Sequence, residues 1–375
     1  MDHRKRVVGT HTVNYAEIRN FIGLPFEKYA FEKKQNLYKI PAVAYTRLTN
    51  KTHSYYWNSY RDFDLNKVDL FHFFNTISFG NTPWITTFET FLPRREGKND
   101  EAGLKLMAGE ACQKLIAMSE CAANIQRTFL SDKYPQFLDV INEKLMVLHP
   151  AQKCPPREEV QKDISGPLTF TIVGSDFFRK GGKEILIAFD RLSEKGIQDW
   201  CLNIVSKMQF GDYASQTTKE DVRFAHKLID KYPHNINYQS QIPNAEVLAL
   251  FKKTHIGLLP TYADTYGYSV LEAQSFACPV ISTNIRALPE INSHELGWLI
   301  EVSKDSWGNA ILTSEKYISA FSSHLVDELE KTLTEIFENP SQILAKGERA
   351  YQKLLPSIEH NTQVLENLYD GIVEG

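Results

Sequence analysis

The second half of the chain alternates between short apolar runs rich in β-branched residues and longer segments with helical spacing. The run LTFTIVG at 168–174 predicts a buried strand, and KEILIAFDRLSEKG at 183–196 predicts the helix that follows it. The alternation continues to about residue 302. Strands that alternate with helices form parallel sheets covered on both faces, so this half predicts a doubly wound α/β domain.

The first half carries the same kinds of segment in a less regular order. The pattern predicts strands at 68–74, 83–89, 114–119 and 144–150, and helices at 99–112 and 119–130. The first 65 residues, rich in tyrosine, phenylalanine and asparagine, give no clear pattern.

The length of 375 residues predicts two domains, because a single core rarely grows that large. The polar, proline-rich stretch HPAQKCPPREEVQKDISGP at 149–167 is typical of a domain boundary. We therefore expect one domain over 1–152 and a second over 166–357.

Composition limits the classes of partner and compartment. The chain is 42% hydrophobic and 23% charged with a net charge of −4, so it has no overall basic field and we expect no nucleic-acid partner. Its five cysteines show no Cys-x-x-Cys spacing, which favours a reducing, cytoplasmic compartment over a disulfide framework or a zinc site. No run of about 20 apolar residues predicts a membrane span. Peripheral contact with the inner face of a membrane is left open.

The stretch TYADTYGYSVLEAQ at 261–274 places two carboxylates, Asp264 and Glu272, on either side of a glycine turn. Ser269 and Glu272 match a capping box, which would explain both residues without a ligand. That interpretation leaves Gly267, between two tyrosines after a predicted strand, unexplained. The turn follows a predicted parallel strand and so lies at the carboxyl edge of the sheet, where ligands of such sheets bind. The start of a helix there suits a phosphate, and a carboxylate suits the hydroxyl groups of a sugar.

A second loop, VGSDFFRKGG at 173–182, also follows a predicted strand and precedes a helix. Its adjacent cations Arg179 and Lys180 are compatible with a solvated basic loop. Since the loop belongs to the same edge of the same predicted sheet, the two segments together favour a pyrophosphate site. A further segment, NAEVLALFKKT at 244–254, predicts a helix capped by Asn244.

The segments DTYGYSVLEA, GSDFFRKGG and PVISTNIRALPEI (279–291) resemble those of retaining glycosyltransferases of the GT-B fold. The family is the large one with a Glu-x(7)-Glu motif, the glycosyl transferases group 1. It includes sucrose synthases, phosphatidylinositol mannosyltransferases and lipopolysaccharide-core glucosyltransferases, and the arginine–lysine loop is most similar to the last of these. The resemblance covers about 168–300 well and 68–150 in outline.

This resemblance implies an α/β protein of GT-B type, with two Rossmann-like, doubly wound domains facing a cleft. The C-terminal domain would bind a nucleotide-sugar, a UDP-sugar by family frequency, and the N-terminal domain a glycan or glycolipid acceptor. The final helix, about 358–375, would pack back onto the N-terminal domain. The implied activity is retaining sugar transfer in polysaccharide biosynthesis, without a cofactor or a metal.

The resemblance also assigns roles to residues. Glu272 would hold the donor ribose, Arg179 and Lys180 the diphosphate, and Asp264 a hydroxyl of the transferred sugar. The implied catalytic set is Lys180, Arg179, Asp264 and Glu89, and the implied donor-binding set is Glu272, Gly267, Tyr268, Ser269, Tyr266 and Gly174.

The chain departs from the family in two places. The first acidic residue of the motif is Asp264 instead of glutamate. Family members often have a His-Asp pair after an N-terminal strand, where this chain has Phe88-Glu89. Glu89 is either near the reaction centre or an ordinary strand-end residue.

Other interpretations stay open at the level of sequence. Asp62-Phe63-Asp64 matches the Asp-x-Asp metal signature of the other glycosyltransferase fold, but a turn is the favoured interpretation because one short match is weak. The chain could also be a nucleotide-sugar epimerase or hydrolase of GT-B type. A third alternative is a catalytically degenerate partner subunit that binds nucleotide or glycan.

Overall fold

The structure is a computed structural model of the chain, and it describes residues 5–49, 58–94, 100–211 and 213–375. The chain divides into two compact units. The first comprises Met1–Ala151 together with Ser357–Gly375, and the second comprises Gln152–Pro356.

The first unit contains a six-stranded parallel sheet with the order β2-β1-β4-β6-β7-β8 and a separate two-stranded sheet, β3-β5. Its strands are β1 Arg6–Thr10, β2 Tyr29–Lys33, β3 Ser59–Tyr60, β4 Leu70–Phe74, β5 Ile77–Ser78, β6 Trp84–Phe88, β7 Cys112–Ala117 and β8 Leu145–Val147. Its first helices are α1 Tyr15–Glu17 (continued by a π-helical turn, Ile18–Ile22), α2 Lys39–Thr49, α3 Asp100–Ala108, α4 Glu120–Lys133 and α5 Leu138–Lys144.

Alternate residues of this sheet pack into cores on its two faces, as the period of two in a strand requires. Val8, Leu70, Ile85 and Ile116 share one core, and Phe71, Phe73, Trp84 and Leu115 share the other. The strands predicted within 68–150 are present, whereas β1 to β3 lie in the first 65 residues, where no clear pattern predicted them.

The last helix of the chain belongs to the first unit. Leu365 and Tyr369 are fully buried in the same core as Val8 and Leu70. The Tyr369 hydroxyl lies 2.7 Å from Nδ1 of His72, whose Nε2 lies 2.9 Å from the Thr87 hydroxyl. Burial lowers the pKa of His72 well below its usual value, so this network is built on a neutral imidazole.

The second unit contains one six-stranded parallel sheet with the order β11-β10-β9-β12-β13-β14. Its strands are β9 Leu168–Gly174, β10 Trp200–Ser206, β11 Ile236–Gln239, β12 Ile256–Leu259, β13 Val280–Thr283 and β14 Trp298–Ile300. The remaining helices are α6 Gly182–Glu194, α7 Lys219–Lys231, α8 Asn244–Lys253, α9 Tyr268–Gln274, α10 Leu288–Ile291, α11 Glu315–Glu338, α12 Ser341–Leu354 and, in the first unit, α13 Ser357–Val373.

This strand order is that of a Rossmann sheet, with its reversal between β9 and β12. The predicted strands and helices between 168 and 302 are all present, with bounds that differ by a few residues. The prediction of a parallel, doubly wound sheet is therefore confirmed. A strand order of this kind opens a crevice at the carboxyl ends of the two strands where the order reverses, and that crevice is where ligands of such folds bind.

Two predicted helix starts were wrong. The helix at 244 begins at Asn244 itself, after Pro243, so Asn244 is not its N-cap. The helix at 268 begins after Gly267, which makes Ser269 its second residue and Glu272 its fifth. The predicted capping box is absent because the turn at Gly267 starts this helix at Tyr268, two residues too early for Ser269 to cap it.

Candidate functional site

The loops that follow β9 and β12 meet at the switch point of the second sheet. These strands are neighbours, with Phe170 opposite Ile256 and Ile172 opposite Leu258. The loop after β9 carries the arginine–lysine pair, and the loop after β12 carries the acidic, glycine-containing motif. The two segments singled out in the sequence are therefore adjacent in the structure.

Two glycines let the loop after β9 close tightly. Gly181 caps α6 in the left-handed conformation, at φ 80°. A Cβ at this residue would lie 2.1 Å from the Pro260 carbonyl oxygen, so a side chain would push the loop away from the end of β12. A Cβ at Gly182 would collide with the Phe177 ring at 2.2 Å. Because the loop after β9 approaches the end of β12 so closely, Arg179 and Lys180 lie at the switch point.

Lys180 forms an ion pair with Asp264 across the two loops. The side chains are only 12% and 13% exposed, so the pair is largely removed from water. Burial alone would raise the pKa of Asp264, but the charge and hydrogen bond of Lys180, with the nearby charge of Arg179, hold that pKa below its usual value. Asp264 is therefore ionised at neutral pH.

Gly174, predicted as part of the donor site, lies against the stem of Lys180. A Cβ at Gly174 would sit 3.0 Å from Cγ and 3.1 Å from Cε of that lysine. The glycine thus leaves room for the lysine side chain to lie along the strand end.

Arg179 fastens the two loops to each other. Its guanidinium donates to the Ala263 carbonyl, and Nε lies 3.2 Å from the Asp176 carboxylate. Its own carbonyl accepts hydrogen bonds from the Tyr262 amide and the Thr261 hydroxyl, both at 2.9 Å. The arginine is only 18% exposed at its side chain, so its orientation is fixed by these contacts.

Gly267 provides the turn that begins α9. Its φ of 93° lies in the left-handed region, and a Cβ there would lie 2.5 Å from Cδ2 of Leu288. Tyr266 is buried before this turn, and its ring lies 5.6 Å from that of Tyr268, the first residue of the helix. Ser269 follows in the first turn of α9. The predicted donor-binding residues 266–269 therefore form one continuous segment at the switch point.

Glu272 is buried at 5% exposure on α9. Its Oε1 accepts a hydrogen bond from the Asn244 side chain on α8, at 3.3 Å. The side chain predicted as a helix cap thus acts instead as a partner of the motif carboxylate. This contact depends on tertiary packing, and no sequence spacing would have revealed it.

Cavities adjoin this arrangement. One of about 220 Å³ is lined by Arg179, Asp264 and Arg286 among others, and one of about 360 Å³ by Asp176, Arg179 and Lys207. Arg286 was missed in the sequence. It adopts φ 51°, unusual for a residue with a side chain, and its amide donates to the Gly308 carbonyl at 2.8 Å. In the sequence, the only signal for Arg286 was its place in the segment NIRALPEI.

Glu89 lies in the first unit, directly after β6. Its Oε1 lies 2.6 Å from Nη1 of Arg94 and 3.2 Å from the Asn75 side-chain amide. It is thus a partly buried, ion-paired residue at the carboxyl edge of the first sheet.

The Asp62-Phe63-Asp64 segment forms a turn, as expected. Asp62 is buried, and its carboxylate accepts hydrogen bonds from the Asp64 and Asn66 amides at 3.1 and 3.2 Å.

Within the described ranges, no group of three or more His, Cys, Asp or Glu side chains is arranged to hold a metal ion. No helix in the described parts of the chain is both long and apolar enough to cross a bilayer.

The two Rossmann-like units define a GT-B fold, and comparisons with solved structures agree. The chain is similar to a glycosyltransferase from Rickettsia africae ESF-5 (TM-score 0.59, 13% identity, 99% of this chain and 91% of that one). It is also similar to Anabaena HepE solved with UDP (0.56, 12%, 97% and 99%). A third similar structure is WaaG, a glycosyltransferase involved in lipopolysaccharide biosynthesis (0.54, 15%, 90% and 87%).

The candidate site lies in a segment with a family match. Residues 156–316 match the sequence model of glycosyl transferases group 1. The fold suggested by the sequence motifs is confirmed by the similar structures, and the match over 156–316 agrees with the family that the motifs resemble. A curated relative, a 41.2 kDa protein in the cps region of Klebsiella pneumoniae, is 26% identical over 138 residues. That alignment spans 37% of this chain and 35% of the relative.

Proposed function

We propose that this protein transfers a sugar from a nucleoside diphosphate donor to a hydroxyl of a glycan or glycolipid acceptor, with retained anomeric configuration. The observation that carries the proposal is the meeting of Arg179 and Lys180 with the Asp264–Glu272 motif at the switch point of the second sheet. Fixed cations at such an edge suit a diphosphate.

In this proposal the donor lies across the two loops. Arg179 and Lys180 hold the diphosphate, with help from backbone amides of the turn at Gly267, Tyr268 and Ser269. Glu272, whose buried carboxylate is positioned by Asn244, accepts hydrogen bonds from the ribose hydroxyls. A uridine diphosphate sugar is favoured because the structurally similar HepE was solved with UDP.

Cleavage of the glycosyl–phosphate bond places negative charge on the leaving diphosphate. Preorganised cations stabilise that charge where water is scarce, so Lys180 and Arg179 can act without a metal ion. Asp264, ionised and held beside Lys180, is placed to accept a hydrogen bond from a hydroxyl of the transferred sugar. A phosphate oxygen then takes the acceptor proton on the same face, which gives retention.

The acceptor is assigned to the first unit, where Glu89, at the carboxyl edge of the sheet, is the proposed contact. Similarity to WaaG, which is involved in lipopolysaccharide biosynthesis, favours a glycan or glycolipid of a cell-surface polysaccharide. All five cysteines are free thiols, which suits a cytoplasmic enzyme. Contact with the inner face of a membrane is part of the proposal for a glycolipid acceptor.

The proposal is tested by measuring UDP release from UDP-glucose, UDP-galactose, UDP-N-acetylglucosamine and UDP-glucuronate, with and without glycan acceptors. We expect release with at least one donor and in the presence of EDTA. Lys180→Ala lowers kcat for that donor at least about a hundredfold, near 2.7 kcal/mol of transition-state stabilisation.

Lys195→Ala is the control, because Lys195 pairs with Glu330 at the surface of the same unit. Thermal unfolding of both variants separates lost chemistry from lost fold. The assignment is wrong if Lys180→Ala turns over the donor as the unchanged protein does. NMR of the product reports the anomeric configuration, and sugar release without transfer would identify a hydrolase.

A further inference from the structure

The second unit contains another cavity, of about 530 Å³, beside the candidate donor site. It is bounded by the start of α6, the segment before α7 and the first half of α11. Phe178 lines this cavity, while its neighbour Arg179 lines the donor-site cavities. A volume of this size lies within the range of about 300–1,000 Å³ typical of small-molecule sites.

A buried carboxyl group lies in the wall of this cavity. Glu184 is 2% exposed, and its Oε1 accepts hydrogen bonds from the Tyr262 hydroxyl at 2.7 Å and the Ser322 hydroxyl at 2.6 Å. Its Oε2 is buried and has no hydrogen-bond partner among the described residues. An unpaired buried polar atom costs about 1–3 kcal/mol. A ligand would supply the missing hydrogen bond.

The lining indicates what kind of ligand fits. Half of the lining residues carry a hydroxyl, which both donates and accepts hydrogen bonds. Lys183, the cation of the wall, is already paired with Asp221 at 2.6 Å, and the carboxyl of Glu315 disfavours an anion. The kind of ligand that fits this lining is therefore neutral and rich in hydroxyl groups.

Aromatic side chains shape the wall of the cavity. Phe178 and Tyr262 belong to the lining and are almost fully buried, so they set its form without exposing their ring faces. We propose that this cavity binds one sugar unit of a glycan, separate from the sugar that is transferred. The proposal does not depend on the transfer reaction, since none of Arg179, Lys180, Asp264 and Glu272 lines the cavity.

The ionisation of Glu184 supports such a contact. Burial raises the pKa of this carboxyl above its usual value, although the hydrogen bonds from Ser322 and Tyr262 oppose the shift. The protonated form donates from Oε2, and a sugar hydroxyl or ring oxygen accepts. The group therefore matches a ligand whose oxygens are neutral.

The test is saturation-transfer NMR on the full chain with D-glucose, D-galactose, D-mannose, N-acetyl-D-glucosamine and maltotriose, each in the presence of saturating UDP. We expect at least one sugar to bind while UDP is bound. Glu184→Leu lowers its affinity at least tenfold, and its melting temperature is measured alongside because the change leaves the Tyr262 and Ser322 hydroxyls without their acceptor. Glu338→Leu, at the exposed end of α11, leaves binding unchanged and is the matched control.

A second variant guards against a folding defect in Glu184→Leu. Ser319 is exposed and lines the cavity, so Ser319→Trp fills the space from outside the core and is also expected to abolish sugar binding. The proposal is overturned if no sugar binds, if both variants bind as the unchanged protein does, or if binding requires Lys180. The last result would place the sugar in the donor site.

Discussion

At the scale of single residues, the ion pair between Lys180 and Asp264 links the two motifs of the candidate site. The sequence predicted both residues for the same site and gave them separate roles. It could not predict their direct contact, because the residues are 84 positions apart and meet only once β9 and β12 are paired. The partnership of Asn244 with Glu272 was missed for the same reason.

Asp264→Asn tests this pair. The change leaves the ammonium group of Lys180 largely buried without its counter-charge, so we expect a loss of about 2–4 kcal/mol of unfolding free energy at pH 7. The folded-state pKa of Asp264 is lowered, so its stabilisation is complete above the ordinary aspartate pKa, near 4, and is lost as pH falls through the lower folded value. Asp264→Asn should therefore lose less unfolding free energy than the unchanged protein as the pH falls below about 4, because the asparagine side chain does not titrate.

Urea unfolding at several pH values between 2 and 7 measures this effect. Asp327→Asn is the control, because Asp327 pairs with Arg191 at the surface and is 67% exposed. A profile for Asp264→Asn that parallels that of the unchanged protein from pH 7 to pH 2 would show that the pair contributes nothing to folding.

At the scale of elements, the β–α alternation of the second unit was predictable because each strand is a short apolar run bounded by turn residues. Helix starts were less predictable. Ser269 and Glu272 have capping-box spacing, but the left-handed turn at Gly267 begins α9 earlier. In the first unit, β2 is half-exposed and β3 has two residues, so neither produces a strong hydrophobic pattern.

The loop between β9 and α6 gives the prediction at this scale. Gly181 and Gly196 both have positive φ, 80° and 89°, but a Cβ at Gly181 would meet the Pro260 carbonyl while one at Gly196 meets open space. Gly196→Ala should therefore cost only the conformational penalty, about 1 kcal/mol. Gly181→Ala should cost about 3 kcal/mol or more, because the loop must also move off β12.

Urea unfolding of the two variants provides the comparison, and UDP binding is measured on both. We expect weakened UDP binding for Gly181→Ala alone, since that loop carries Arg179 and Lys180. Equal losses of stability in the two variants would mean that the contact between the loop and Pro260 does not constrain the site.

At the scale of the whole molecule, the chain begins and ends in the same unit. The sequence motifs lie almost entirely in the second unit, which is why its fold could be predicted from the sequence, while the first unit could be predicted only in outline. The resemblance predicted a final helix returning to the first unit. The structure buries Tyr369 of α13 there, against His72. The His72–Tyr369 contact spans 297 positions and left no local pattern.

The central claim is that the switch point of the second unit binds a nucleoside diphosphate through Arg179 and Lys180. Calorimetric titration of the full chain with UDP tests it, using Arg179→Gln/Lys180→Gln against Arg191→Gln/Lys195→Gln. The control pair removes two cations that contact Glu330 at the surface of the same unit. We predict that UDP binds the unchanged protein and the control alike and binds the site variant at least a hundredfold more weakly. Equal affinity for all three proteins, or no binding by the unchanged protein, would contradict the claim.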